Sequence, residues 1–205
     1  MTSSNLNHSA LAIPLARSQT LGDILRRTAQ RLPDKTAVIC GQTEWSYSQF
    51  DALVSRLAVG LVAIGIKSGD HVAMLARNSH GFAAMRFALA RMGAVLVPIN
   101  FMLKTDEVAY ILRHAQAKVL VTDTELTPLA KAASALDTQV AEFIWIPSED
   151  PAQASEGMHD FHTLIGSEGV LPPQTFNGND VLQIVYTSGT ESSPKGAMLT
   201  HDAVL

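Results

Sequence analysis

From His71 onward, short apolar runs alternate with stretches in which apolar residues return every three or four positions. His71 to Ala76, Ala94 to Ile99, Lys118 to Thr122 and Val140 to Ile146 are nearly unbroken, the pattern of strands buried on both faces. Between them, Ser79 opens a stretch carrying Phe82, Met85, Leu89 and Met92 on one face, and Gly93 closes it. Thr105 opens a second with Val108, Ile111, Leu112 and Ala115, and a third runs from Leu126 to Leu136. This spacing predicts helices. Strands alternating with helices predict an α/β fold, a mostly parallel sheet flanked by helices.

Local signals extend the pattern in both directions. Thr20-Leu21-Gly22-Asp23 reads as a capping box, with Leu21, Ile24, Leu25 and Thr28 on one helical face and an end near Leu32, before Pro33-Asp34. Thr36 to Cys40 and Thr43 to Ser46 surround Gly41-Gln42 and predict a hairpin. Ser48-Gln49-Phe50-Asp51 is expected to cap a second helix, which carries Phe50, Leu53, Val54, Leu57, Ala58, Leu61 and Val62 and stops at Gly65. Pro147 to Asp180 is rich in Pro, Ser, Glu and Gly and predicts a long surface connector with one helical patch at Asp160 to Ile165. Val181 to Tyr186 and Ala197 to Thr200 predict two further strands, and His201-Asp202 a helix start. The expected organisation is a tail (1–19), an α/β unit (20–146), a connector (147–180) and a terminal strand, loop and helix start (181–205). Only Ala203, Val204 and Leu205 follow that last helix start, too few for a stable helix, so the sequence reads as part of a longer domain.

Composition narrows the classes. With 205 residues, 47% hydrophobic and 17% charged, the chain has the balance of a globular interior rather than a disordered tail. Fifteen Lys and Arg against 19 Asp and Glu give a net charge of −4, which argues against a nucleic-acid partner. No apolar run approaches the roughly 18 residues of a membrane span. Met1 to His8 lacks the basic start of a secretory signal, so a cytoplasmic protein is expected. Cys40, the lone cysteine, is expected to be a buried apolar residue, and Met85 and Met92 core residues. His8, His159 and His162 are expected in solvent, and His71, His80 and His114 at caps or on the surface. His159 and His162 have no Cys or acidic cluster to complete a zinc set.

The chemistry concentrates in Ile184 to Gly196, where a strand end meets Thr187-Ser188-Gly189-Thr190-Glu191-Ser192-Ser193-Pro194-Lys195-Gly196. Gly189 lets a ligand approach the backbone, the hydroxyls are donors, and Lys195 adds a mobile positive charge, all suited to a polyphosphate. The commonest phosphate loop requires Gly, four residues, Gly, Lys and then Ser or Thr. Counted from Gly189, Pro194 stands where the second glycine belongs and Gly196 where the hydroxyl belongs, so that reading fails.

Tyr186 to Gly196 resembles instead, without a gap, the phosphate-binding signature of adenylate-forming enzymes: acyl-CoA synthetases, luciferases and peptide-synthetase adenylation domains. Trp45 to Phe50, Gly65 to Val72, Asn78-Ser79 and Gly93 to Asn100 resemble scaffold patterns of the same superfamily, so the likeness runs from about Thr20 to Leu205. The resemblance implies the N-terminal part of a large adenylation domain. It implies ATP, magnesium and coenzyme A, with a small-molecule carboxylic acid activated as acyl-adenylate and passed to the thiol. Thr187, Ser188, Gly189, Thr190, Glu191, Ser192, Lys195 and Gly196 then form the ATP-phosphate site, with Thr190 or Glu191 as the candidate magnesium contact. His201, which follows the loop as in many members, is expected to be structural or helix-starting before catalytic. Glu191-Ser192 resembles a variant among fatty-acyl-CoA synthetases and points to a medium- or long-chain fatty acid. Two alternatives stay open: an adenylate-former that loads a carrier protein or transfers to oxygen, and a non-catalytic stand-alone fragment.

Overall fold

The structure is a computed structural model that describes residues 19–149, 154–173, 175–187 and 194–205. In chain order the elements are α1 (Leu21–Arg31), β1 (Thr36–Cys40), β2 (Thr43–Ser46), α2 (Tyr47–Ala63), β3 (His71–Leu75), α3 (His80–Met92), β4 (Val95–Pro98) and α4 (Thr105–His114). They continue with β5 (Val119–Thr122), α5 (Thr127–Ser134), β6 (Glu142–Trp145), β7 (His159–Asp160), α6 (Phe161–Ile165), β8 (Val181–Thr187), β9 (Lys195–Thr200) and α7 (His201–Val204). β1 and β2 form a separate antiparallel hairpin, and the other strands form one sheet in the order β7-β6-β5-β3-β4-β8-β9. All its pairings are parallel except that of β9, which returns antiparallel to β8.

The near-continuous apolar strands are explained by a sheet covered on both sides. In β3, Val72 and Met74 enter a core with residues of α2 and α3, while Ala73 and Leu75 enter an opposite core with residues of α4 and α5. Leu57 and Leu61 of α2 are fully buried, and each such side chain contributes roughly 1.5–3 kcal/mol. Met85 and Met92 are buried in α3 as expected. Arg91 ties three helices together: Nη1 donates to the Asp51 carbonyl oxygen at 2.9 Å, Nη2 to the Gly22 carbonyl oxygen at 3.3 Å, and the guanidinium pairs with the Asp51 carboxylate.

Helix ends follow the local rules in most places. Thr20 and Asp23 form the expected capping box, the Ser79 hydroxyl accepts from the Phe82 N–H, and Gly93 ends α3 at φ 76°. Two starts differ from expectation. Ser46, not Ser48, caps α2, because Ser46 and Gln49 satisfy each other's backbone N–H groups. Lys104 precedes α4, and the Glu107 carboxylate accepts its N–H at 2.8 Å. The connector also does more than cover the surface. His159 and Asp160 extend the sheet beside β6, and Phe161 and Leu164 of α6 are buried in the α2 core. His80 opens α3 beside the Ser79 cap, one of its two expected placements, but is buried rather than on the surface: its ring meets Trp45 edge-on with centroids 5.3 Å apart, and burial, then His162, lowers its pKa. Cys40 is half-buried rather than enclosed. Among the described residues no helix is long and apolar enough to cross a membrane.

Candidate phosphate-binding site

β8 runs parallel to β4, so its far end emerges at the edge of the sheet where the parallel strands finish. Ligands of open α/β sheets bind outside that edge. β9 then pairs back on β8 with Tyr186 opposite Gly196 and Thr187 opposite Lys195. The loop between them therefore has fixed ends. Ser188, Gly189, Thr190, Glu191 and Ser192 of the expected site lie outside the described residues. Thr187 and Lys195, brought together at the mouth, are both exposed. Among the described residues no ion pair includes Lys195.

Gly196 has a packing reason to be glycine. A Cβ there would lie 2.8 Å from Ile184 Cγ2 and 3.1 Å from Tyr186 Cζ, so the Ile184 side chain and the Tyr186 ring together occupy the space. The Tyr186 hydroxyl meets His114 Nδ1 at 2.7 Å, and the His114 ring stacks on Tyr110 with centroids 5.6 Å apart. Tyr110 Oη donates to the Pro194 carbonyl oxygen at 3.2 Å. Burial, then Tyr110, raises the Tyr186 pKa, so the phenol is neutral and keeps its proton for hydrogen bonding. Sequence reasoning missed Tyr110 and His114 here. Their four-residue spacing on one helix face was the available signal.

On the same edge, the buried Asp123 carboxylate accepts from Arg77 N–H at 2.8 Å and Leu126 N–H at 2.9 Å. Arg77 pairs with Glu125 at 2.7 Å and lies 5.8 Å above the Phe101 ring. These donors and acceptors are matched to one another. His201 is structural, as expected. It is buried at the start of α7, Nδ1 accepts the Leu21 N–H at 3.1 Å, and the ring stacks on Phe176 at 5.6 Å. Among the described residues no three His, Cys, Asp or Glu side chains group to hold a metal ion.

The pairing of β8 with β9 thus brings Thr187 and Lys195 together at the edge where the parallel strands finish. The profile of the AMP-binding enzyme family matches residues 25–205, and the chain belongs to that family. It is 34% identical over 189 residues to the long-chain-fatty-acid–CoA ligase FadD13 of Mycobacterium tuberculosis, covering 91% of this chain and 36% of that one. Against the peroxisomal benzoate–CoA ligase of Arabidopsis thaliana it is 32% identical over 189 residues, covering 86% and 33%. The chain thus spans about a third of the length of these curated relatives. The inhibitor-bound N-terminal domain of FACL13 from Mycobacterium tuberculosis superposes with a TM-score of 0.79 at 32% identity, covering 91% of this chain and 45% of that one.

Proposed function

We propose that this chain supplies the ATP-phosphate site of an acyl-CoA synthetase, an acid–thiol ligase. The observation that carries the reading is the Thr187–Lys195 pairing, which holds the mouth of the signature loop at the ligand edge of the sheet. In the proposed reaction a substrate carboxylate oxygen attacks the α-phosphorus of ATP, the bond to the bridging oxygen breaks, and pyrophosphate leaves with the electron pair. The coenzyme A thiolate then attacks the acyl carbon, forming the thioester and releasing AMP. Thr187, Ser188, Gly189, Thr190 and Ser192 are assigned to the β- and γ-phosphates, with Gly196 completing the loop. Lys195 stabilises charge that develops on departing pyrophosphate, where fixed electrostatics act most strongly. Magnesium, when bound, would share that charge, with Thr190 or Glu191 as its proposed ligand.

For the acid we propose a medium- or long-chain fatty acid, supported by Glu191-Ser192 and by the relative named for such acids. Benzoate is the natural comparison, since another relative is named for it. A cytoplasmic setting and the division into 20–146, 147–180 and 181–205 belong to the same reading. The test is carboxylate-dependent ATP–pyrophosphate exchange by the protein as its source produces it, across fatty acids of increasing length and benzoate. Lys195→Ala is expected to lower exchange by about 10²-fold, the scale of losing one charge-stabilising donor. Exchange unchanged in that variant would remove Lys195 from the site.

A further inference from the structure

The loop's two ends are held by more than their strand pairing. At the exit, Pro194 directly precedes Lys195, and its carbonyl oxygen accepts from Tyr110 Oη at 3.2 Å. At the entry, Tyr186 directly precedes Thr187, and its hydroxyl meets His114 Nδ1 at 2.7 Å. Tyr110 and His114 lie one turn apart on α4, and their rings stack at 22° with centroids 5.6 Å apart. The His114 ring in turn meets Tyr186 edge-on at 5.6 Å. Tyr186 fills the space beside Gly196 on the opposite strand. One helix thus grips both ends of the loop, through residues that stand next to Thr187 and Lys195 rather than through those residues themselves.

We propose that Tyr110 and His114 are positioning residues for the phosphate loop, setting the width and direction of its mouth before a nucleotide arrives. The proposal rests on the reading of that loop as an ATP-phosphate site. Neither side chain touches substrate. Each acts through a neighbour: Tyr110 through the Pro194 carbonyl oxygen on Lys195, and His114 through the Tyr186 hydroxyl on Thr187. Loops ordered in advance bind more tightly because less ordering is left for the binding step. Loss of this bracket should therefore appear first in nucleotide affinity. The acid, to which this reading assigns none of these residues, should be unaffected.

The experiment uses the protein as its source produces it and follows ATP–pyrophosphate exchange with its best acid, together with the thermal midpoint. Tyr110→Phe removes only the hydroxyl and keeps the ring on His114. His114→Phe keeps a stacking ring and removes Nδ1. Both are expected to raise KM for ATP roughly three- to tenfold, the effect of one net hydrogen bond. KM for the acid should stay at the wild-type value, and the thermal midpoint should fall by no more than about a few degrees, the scale of one net hydrogen bond. An unchanged KM for ATP in both variants, with Lys195→Ala still impaired, would overturn the bracket and leave the phosphate site standing. A fall in thermal midpoint and kcat without a change in KM for ATP would show a merely structural role and overturn it too. Absence of exchange in the wild type with every acid tried would overturn the ATP reading itself.

Discussion

His201 shows how one buried side chain can join distant parts of this chain. Its Nδ1 accepts the Leu21 N–H, so that nitrogen must be unprotonated while α1 and α7 are docked. Burial lowers its pKa from the ordinary 6.5, and the carboxylates of Asp180, Asp202 and Asp23 oppose part of that shift. The folded state therefore resists protonation more than the unfolded chain does. Between the folded pKa and about 6.5 the unfolded state binds more protons, so stability rises with pH there. The contribution is complete above about pH 6.5 and is lost as pH falls through the folded value. Thermal midpoints measured from pH 7.5 downward should fall, and His201→Gln should flatten part of that slope. His80 contributes a slope of the same sign, because burial lowers its pKa as well. A slope identical in wild type and His201→Gln would assign the whole effect elsewhere. His201 was legible as a helix-starting residue because Thr200-His201-Asp202 has a cap's chemistry. Its bond to Leu21 was not, since nothing local relates two positions so far apart in the chain.

Among the elements, whatever depends on neighbours within one turn could be read in advance. Thr20, Ser79 and Gly93 mark helix ends through bonds spanning three to five residues, and all stand where expected. The start of α2 differs from expectation because Ser46 and Ser48 each stand three residues before a side chain able to reciprocate, Gln49 and Asp51, and it is Ser46 and Gln49 that form the bonds. At the other end of α4, Gln116 takes φ 53° and the Ala117 N–H reaches the Leu112 carbonyl, a stop motif written without glycine. The role of α6 was hidden for a different reason. Its five residues lie in a polar connector, and only tertiary packing shows that Phe161 and Leu164 complete the core under α2. That packing makes a sharp prediction. A Cβ on Gly60 of α2 would lie 2.3 Å from the Leu164 carbonyl oxygen, a backbone atom that cannot turn aside. Gly60→Ala is ordinarily favourable in a helix interior by roughly 0.5–1 kcal/mol. Here it should instead destabilise by about 1–3 kcal/mol, the scale of overpacking. Denaturant unfolding checks the sign: a gain in stability would mean that α2 and α6 do not approach as closely as the structure places them.

Across the whole sheet, the two edges are protected unequally. The β7 edge is only two residues long, His159 and Asp160, and His159 lies 3.0 Å from Glu142. A short edge carrying titratable side chains discourages pairing with another chain. The β9 edge is six residues long, and Met198 in its middle is 69% exposed. Met198 pairs with Ile184, which belongs to the core packed by α4 and α5, so it faces the side of the sheet those helices cover elsewhere. An apolar side chain on a long, exposed edge is a site of association unless something covers it. For the 205-residue chain made alone, β9 should dominate self-association. Met198→Lys should then lower both apolar-dye binding and the concentration-dependent sedimentation of that chain, with little change in its thermal midpoint, because an exposed residue contributes little to the folded core. The same substitution at Ile39, 72% exposed on the separate hairpin, is the control and should leave sedimentation unchanged. If Ile39→Lys and Met198→Lys reduced association equally, the cause would be added charge rather than the β9 edge.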